Sequence, residues 1–260
     1  MLHRSSQLLS LGFSLVMLAA CQTSNSNDSL SEGAAAAASA SANLEPTVRK
    51  AAADAEASYN YAEAAQRYST LLERHPDDQD LVLAVARNLR YSGSPQQAID
   101  VVNRRIAKVG AKEPLLIELG KDYLAADQLN LAISALEQAR DADPNNWQVF
   151  SALGVAQDYQ GNYKDAQATY LSGLKLSANN PVLLNNYALS LAQSGDLTNA
   201  IAMLQTASTQ TMSTAQTRQN LALLLALKGD KDGASRLVRA DLPPDMAQNN
   251  ITYYEGMDAQ

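Results

Sequence analysis

Apolar residues return at helical spacing along most of this chain. Leu116, Leu119 and Tyr123 fall on one face of a helix, and Leu184, Tyr187 and Leu191 repeat the pattern further on. Each such run ends in a short polar break, and a second amphipathic run follows. The breaks carry glycine at Gly93, Gly161, Gly195 and Gly229, which suits a helix end that needs a left-handed backbone. Asp127 and Tyr59 stand at the same place in two other breaks. The second runs present an alanine and, four residues later, Tyr68, Val102, Leu136, Tyr170, Leu204 or Val238. The pattern predicts pairs of helices, each of roughly 12–14 residues.

The pairs keep a fixed register. In frames of 34 residues from Glu45, alanine recurs at Ala64, Ala98, Ala132, Ala166, Ala200 and Ala234. A second place is always small: Ala52, Ala86, Gly120, Gly154, Ala188 and Ala222. The frames are 45–78, 79–112, 113–146, 147–180, 181–214 and 215–248, with no insertion between them. Alanine is expected where the two helices of a pair approach closely, because a larger side chain would push them apart. Pro76 and Pro144 stop second helices, since proline cannot continue a helix interior.

A strict period of this length signals a solenoid of stacked units. The frames resemble the tetratricopeptide repeat. The best match is 147–180, through Phe150, Leu153, Gly154, Gly161, Tyr163, Ala166, Tyr170, Gly173 and Leu174. The resemblance implies an all-α superhelical solenoid of about six helix-turn-helix repeats, with 243–260 as a C-terminal cap overlapping the last. The end frames are the least typical. Ala51 and Ala55 are small where bulk is usual, Arg218 takes an apolar position, and Asp241 takes a small one. Repeats that close a stack depart from the pattern in this way. Beyond Pro243 and Pro244, a helix over 245–257 is expected to cover the last repeat with Met246, Ile251 and Tyr254.

The N-terminus follows a different pattern. A basic start and an apolar run from Leu8 to Ala20 lead into Cys21, the layout of an export signal over 1–20. Leu18-Ala19-Ala20-Cys21 resembles the bacterial lipobox, which implies cleavage before Cys21 and a diacylglycerol on its sulfur. Two or more acyl chains anchor stably where one does not. Residues 21–44, rich in Ser, Ala and Asn, are read as a flexible tether with a span of roughly 25–29 Å. Gln22, and not Asp, after the cysteine resembles the outer-membrane pattern of Gram-negative lipoproteins. The resemblance places the chain on that membrane, facing the periplasm.

Charge and composition narrow the function. The net charge is −7, which disfavours nucleic acid, where affinity comes from Lys and Arg on phosphates. Cys21 is the single cysteine, so no intramolecular disulfide can form. Once the signal leaves, His75 is the last histidine, too few for a Cys/His metal site. Gly229 to Gly233 has only the start of a calcium loop and lacks its closing Glu. No phosphate loop, nucleophile–base set or metal cluster is apparent. A binding protein without catalysis, metal or cofactor is therefore expected.

In tetratricopeptide proteins the first helices wall a concave groove. Residues on that wall by resemblance are Arg87, Arg90, Tyr91, Lys121, Asp158, Tyr159, Asn185, Asn186, Gln219 and Asn220. Arg87, Arg90 and Lys121 form a basic cluster suited to an acidic segment, and their side chains are expected to be exposed. Asn186 and Asn220 share one frame position and resemble asparagines that hold a peptide backbone, an amide being both donor and acceptor. Trp147 is read as helix packing. The C-terminal run Arg218-Gln219-Asn220-Leu221 to Asp230, then Asp241-Leu242-Pro243 and Asn249 to Tyr254, resembles the TadD lipoproteins of the Flp (Tad) pilus machine. That resemblance implies a pilotin-like partner of the secretin. The alternative is a general envelope scaffold for cell-wall enzymes or outer-membrane protein assembly.

Overall fold

The computed structural model describes residues 44–209 and 213–257. The signal, Cys21, nearly all of the tether and the last three residues of the expected cap lie outside the described residues. The chain divides between Glu45 and Pro46, and the helical unit is Pro46–Gln260. The described residues form thirteen helices and no strand. Helix α1 covers 44–57. It is followed by α2 (Tyr61–Arg74), α3 (Gln79–Tyr91), α4 (Pro95–Val109), α5 (Glu113–Ala125), α6 (Leu129–Ala142) and α7 (Trp147–Tyr159). Then come α8 (Tyr163–Leu176), α9 (Pro181–Gln193), α10 (Leu197–Ser208), α11 (Ala215–Leu227), α12 (Lys231–Asp241) and α13 (Pro244–Glu255). From α3 to α11 the first helices of successive pairs begin 34 residues apart, and so do all the second helices.

Local chemistry fixes those starting points. Asp78 Oδ1 accepts from the backbone N–H groups of Asp80 and Leu81 at 2.9 and 3.1 Å. Asn146, Asn180 and Thr214 cap α7, α9 and α11 from the same frame position. Each such cap is worth about 1 kcal/mol. Asp230 caps α12 by accepting from Gly233 N–H at 2.8 Å, so the calcium-like segment is a helix start. Helices α2 and α6 end two residues before Pro76 and Pro144.

The core runs along each pair and across to the next. All six alanines that recur every 34 residues are fully buried, and so are Val102, Leu136, Tyr170 and Leu204, four residues on. Burying a leucine such as Leu136 or Leu204 contributes about 1.5–3 kcal/mol. Small residues make room for large ones inside a pair. A Cβ on Gly154 would lie 2.4 Å from Tyr170 Cε1, so the ring occupies the space a side chain would need. The turns take the left-handed backbone at the four expected glycines, and also at Asp127 (φ 58°) and Tyr59 (φ 59°).

The cap forms, with one correction. Ala247, Ile251 and Tyr254 are buried against the last pair, while Met246 is exposed. Steps of four and three residues put 247, 251 and 254 on one helix face, and 246 lies about 100° away. The two atypical residues of the last frame answer each other: Arg218 Nε donates to Asp241 at 2.7 and 2.9 Å.

Candidate peptide-binding groove

First helices of successive repeats touch directly, in the series α3, α5, α7, α9 and α11. They therefore form the inner wall, and what they present depends on two sets of cross-repeat bonds.

The first set joins residues 32 apart, the twelfth position of one frame and the tenth of the next. Glu56 Oε1 accepts from Asn88 Nδ2 at 3.1 Å. Arg90 Nη1 donates to Asp122 Oδ1 at 2.7 Å. Ser190 Oγ donates to Asp158 Oδ1 at 2.6 Å. At the other two junctions the pair is Leu124 with Ala156 and Ala192 with Leu224, and both are apolar.

These bonds change the reading of the basic cluster. Arg90 is not exposed: its side chain is 10% accessible and also donates to Glu118 at 2.6 Å. It crosses from α3 to α5 because two carboxylates sit there, one of them fully buried. Arg87 pairs with Glu56 at 2.7 Å, and Lys121 lies 4.0 Å from Glu118. Glu56, Glu118 and Asp122 thus compensate the three basic residues from within the chain. Burial pushes the Asp122 carboxyl up to about 7; Arg90 pulls against this shift and Glu118 adds to it. One of its oxygens, Oδ2, has no hydrogen-bond partner.

Asp158 is also occupied. Beside Ser190, it accepts from Tyr170 O–H at 2.8 Å. Burial raises its pKa against the pull of these two bonds. Glu56 takes the same bond from Tyr68 at 3.3 Å, so frames one and four share an acid–tyrosine pair.

The second set is an amide ladder. Asn220 Nδ2 donates to Asn185 Oδ1 at 2.9 Å, Asn185 Nδ2 to Asn186 Oδ1 at 3.3 Å, and Asn186 Nδ2 to Ser151 Oγ at 3.1 Å. The steps between repeats span 35 residues, so Asn220 meets Asn185 and not its frame equivalent Asn186. The ladder crosses α7, α9 and α11. Gln219 lies beside it, half-buried.

A cavity of about 360 Å³ opens between α1 and α3 at Arg87, and two adjoining cavities open further along this wall. One, of about 320 Å³, is lined by Lys121, Leu124, Trp147, Ser151, Val155 and Val182, among others. The next, of about 570 Å³, is lined by Val155, Asp158, Tyr159, Tyr163, Asn186, Leu189 and Gln216, among others. They share Val155. Trp147 packs beside Tyr170 and Leu183 as expected, but it also borders the first cavity. Leu124 shares its frame position with Arg90 and Asp158, and Val155 shares its own with Arg87 and Lys121. The sequence reading keeps only the polar members of those positions. Tyr91 lies elsewhere, at the turn edge of the second repeat against Tyr61.

A family profile described as tetratricopeptide repeat matches residues 117–181 and 151–216. Cellulose synthase operon protein C of Pseudomonas fluorescens (strain SBW25) is 29% identical over 170 residues, 62% of this chain. The match spans 13% of that relative's own length. A thermophilic tetratricopeptide protein of Thermus thermophilus superposes with a TM-score of 0.63 at 20% identity, over 70% of this chain and 98% of its own. PilF of Pseudomonas aeruginosa gives 0.56 at 16% identity, over 81% of this chain and 97% of its own. These two likenesses concern the fold. The helical unit has the fold of a tetratricopeptide-like solenoid.

Proposed function

We propose that this chain is a lipid-anchored tetratricopeptide scaffold that takes an extended segment of a partner protein along α5, α7, α9 and α11. We propose further that it serves the Flp/Tad pilus secretin as a pilotin-like assembly factor at the outer membrane. Protein–protein interaction is the function the solenoid supports. The observation that carries the groove is the pair of adjoining cavities beside the amide ladder. Apolar side chains of an extended strand would enter the cavities, and its backbone would exchange hydrogen bonds with the ladder amides. An acidic segment on Arg87, Arg90 and Lys121 is the weaker reading, because their charges are compensated internally. The lipobox and the C-terminal motif support the anchored, pilus-associated role.

Val155 serves both cavities, so Val155→Asp tests the groove. We expect the variant to keep its circular dichroism and lose secretin capture from native membranes, while Cys21→Ser takes up no labelled palmitate. A folded Val155→Asp that captures secretin as well as wild type would move the binding surface elsewhere. If wild type captures other envelope proteins and no secretin, the general scaffold reading replaces the pilotin one. The similarity to cellulose synthase operon protein C favours keeping that second reading in view.

A further inference from the structure

The first turn of the solenoid contains a residue the fold does not require. Four of the six repeat turns place glycine at the left-handed position and one places aspartate, whereas the first places Tyr59 at φ 59°. A bulky side chain there is a true outlier, and such outliers point towards function. The ring buries little, since Tyr59 is 79% exposed. It stands edge-on to Tyr61, with centroids 6.1 Å apart and planes at 88°. Tyr61 lies against Tyr91 at 5.0 Å and 46°. The Arg90 guanidinium backs Tyr91 at 5.1 Å from the ring centre. Three rings from two repeats therefore form one patch, and none of them lines the cavities at Val155.

The polar surroundings define what this patch can accept. Glu56 is engaged by Arg87, Asn88 and Tyr68. Glu63 is engaged by Arg67 and Asn60, and Arg90 by Glu118 and Asp122. The patch thus offers electron-rich ring faces and three phenol hydroxyls, with its neighbouring charges already paired.

We propose that Tyr59, Tyr61 and Tyr91 bind a proline-rich segment of a partner protein in the polyproline II conformation, at a site separate from the groove. A prolyl segment is uncharged, which matches the compensated surface. Its ring C–H groups stack on tyrosine faces, and its carbonyls accept from phenol hydroxyls. Its preformed helix loses little entropy on binding. A sugar would also stack on the rings, but each of its residues carries several hydroxyls that want polar partners, and the polar side chains beside the patch, Asn60 and Glu63, already bond to each other and to Arg67.

The test titrates the mature lipoprotein in detergent with a polyproline peptide and, separately, with a cello-oligosaccharide, following tyrosine resonances by NMR. The expected result is saturable polyproline binding that shifts Tyr59, Tyr61 and Tyr91. Tyr59→Gly should weaken binding by about tenfold or more. It should also raise the melting temperature, because glycine relieves the left-handed backbone, and leave secretin capture unchanged. Tyr91→Leu, which keeps apolar bulk, should lose binding to a similar degree. The proposal is overturned if Tyr59→Gly binds polyproline like wild type, if it melts lower, or if only the oligosaccharide binds.

Discussion

Repeats one to three and repeats four to five are joined by the same contact, between the twelfth position of one frame and the tenth of the next, but different chemistry fills it. Towards the N-terminus it carries full charges, Arg90 between Asp122 and Glu118, with Arg87 on Glu56 beside it. At repeats four and five an acid, Asp158, meets two hydroxyls, those of Ser190 and Tyr170. The charged version brings long side chains across the inner wall and compensates them there. The hydroxyl version is short, and the two adjoining cavities that share Val155 lie beside it. The ion pairs that make the early repeats look like a binding site are therefore what closes them to an acidic ligand.

Breaking the charged junction should have the largest effect. Arg90→Ala leaves the fully buried Asp122 without its basic partner and Glu118 with Lys121 alone, and should destabilise by about 3–5 kcal/mol in a denaturant titration at about pH 8, above the Asp122 value. A loss below about 1 kcal/mol would mean that water reaches the site freely. The next effect is in pH. The Asp122 carboxyl titrates near 7 in the fold, above its ordinary value of 3.8, so the folded chain holds a proton that the unfolded chain has released. Stability should fall as pH rises from about 4 to about 7 and level off above, by on the order of 1–3 kcal/mol. Asp122→Asn should remove that slope and melt no lower than wild type at about pH 8, since Arg90 keeps Glu118. The smallest effect belongs to Arg87→Ala. Its ion pair with Glu56 is 43% exposed on the arginine side, and the loss should stay under about 1 kcal/mol.

The solenoid was legible because its signals repeat in columns. Ala166 and its equivalents return at 34 in every frame, Gly161 and its equivalents in four of the six turns, and one repeat explains the next. The wall was less legible because the residues that touch across repeats are not column partners. Arg90 with Asp122 is a step of 32, and Asn185 with Asn220 a step of 35. Reading down columns places Asn186 over Asn220 and leaves Arg90 free, and both inferences fail for the same reason. Arg218 and Asp241 show a signal that was present: two misfits of opposite charge in one frame are more economically read as a pair. Tyr59 reads as a poor turn residue from the sequence, but its relation to Tyr61 and Tyr91 requires the three-dimensional arrangement.

The two apolar junctions have a mechanical consequence. Hydrogen bonds such as Ser190 to Asp158 lose strength steeply once distance or angle departs from a narrow range. Leu124 against Ala156 is a non-directional contact, and it can slide by a fraction of an ångström with little penalty. A solenoid built from unlike joints does not flex evenly. The compliant joint between the third and fourth repeats lies beneath the Trp147 cavity, with stiff ties on either side at Arg90–Asp122 and Asp158–Ser190. With a partner segment in the proposed groove, adjustment of curvature would be concentrated beside that cavity.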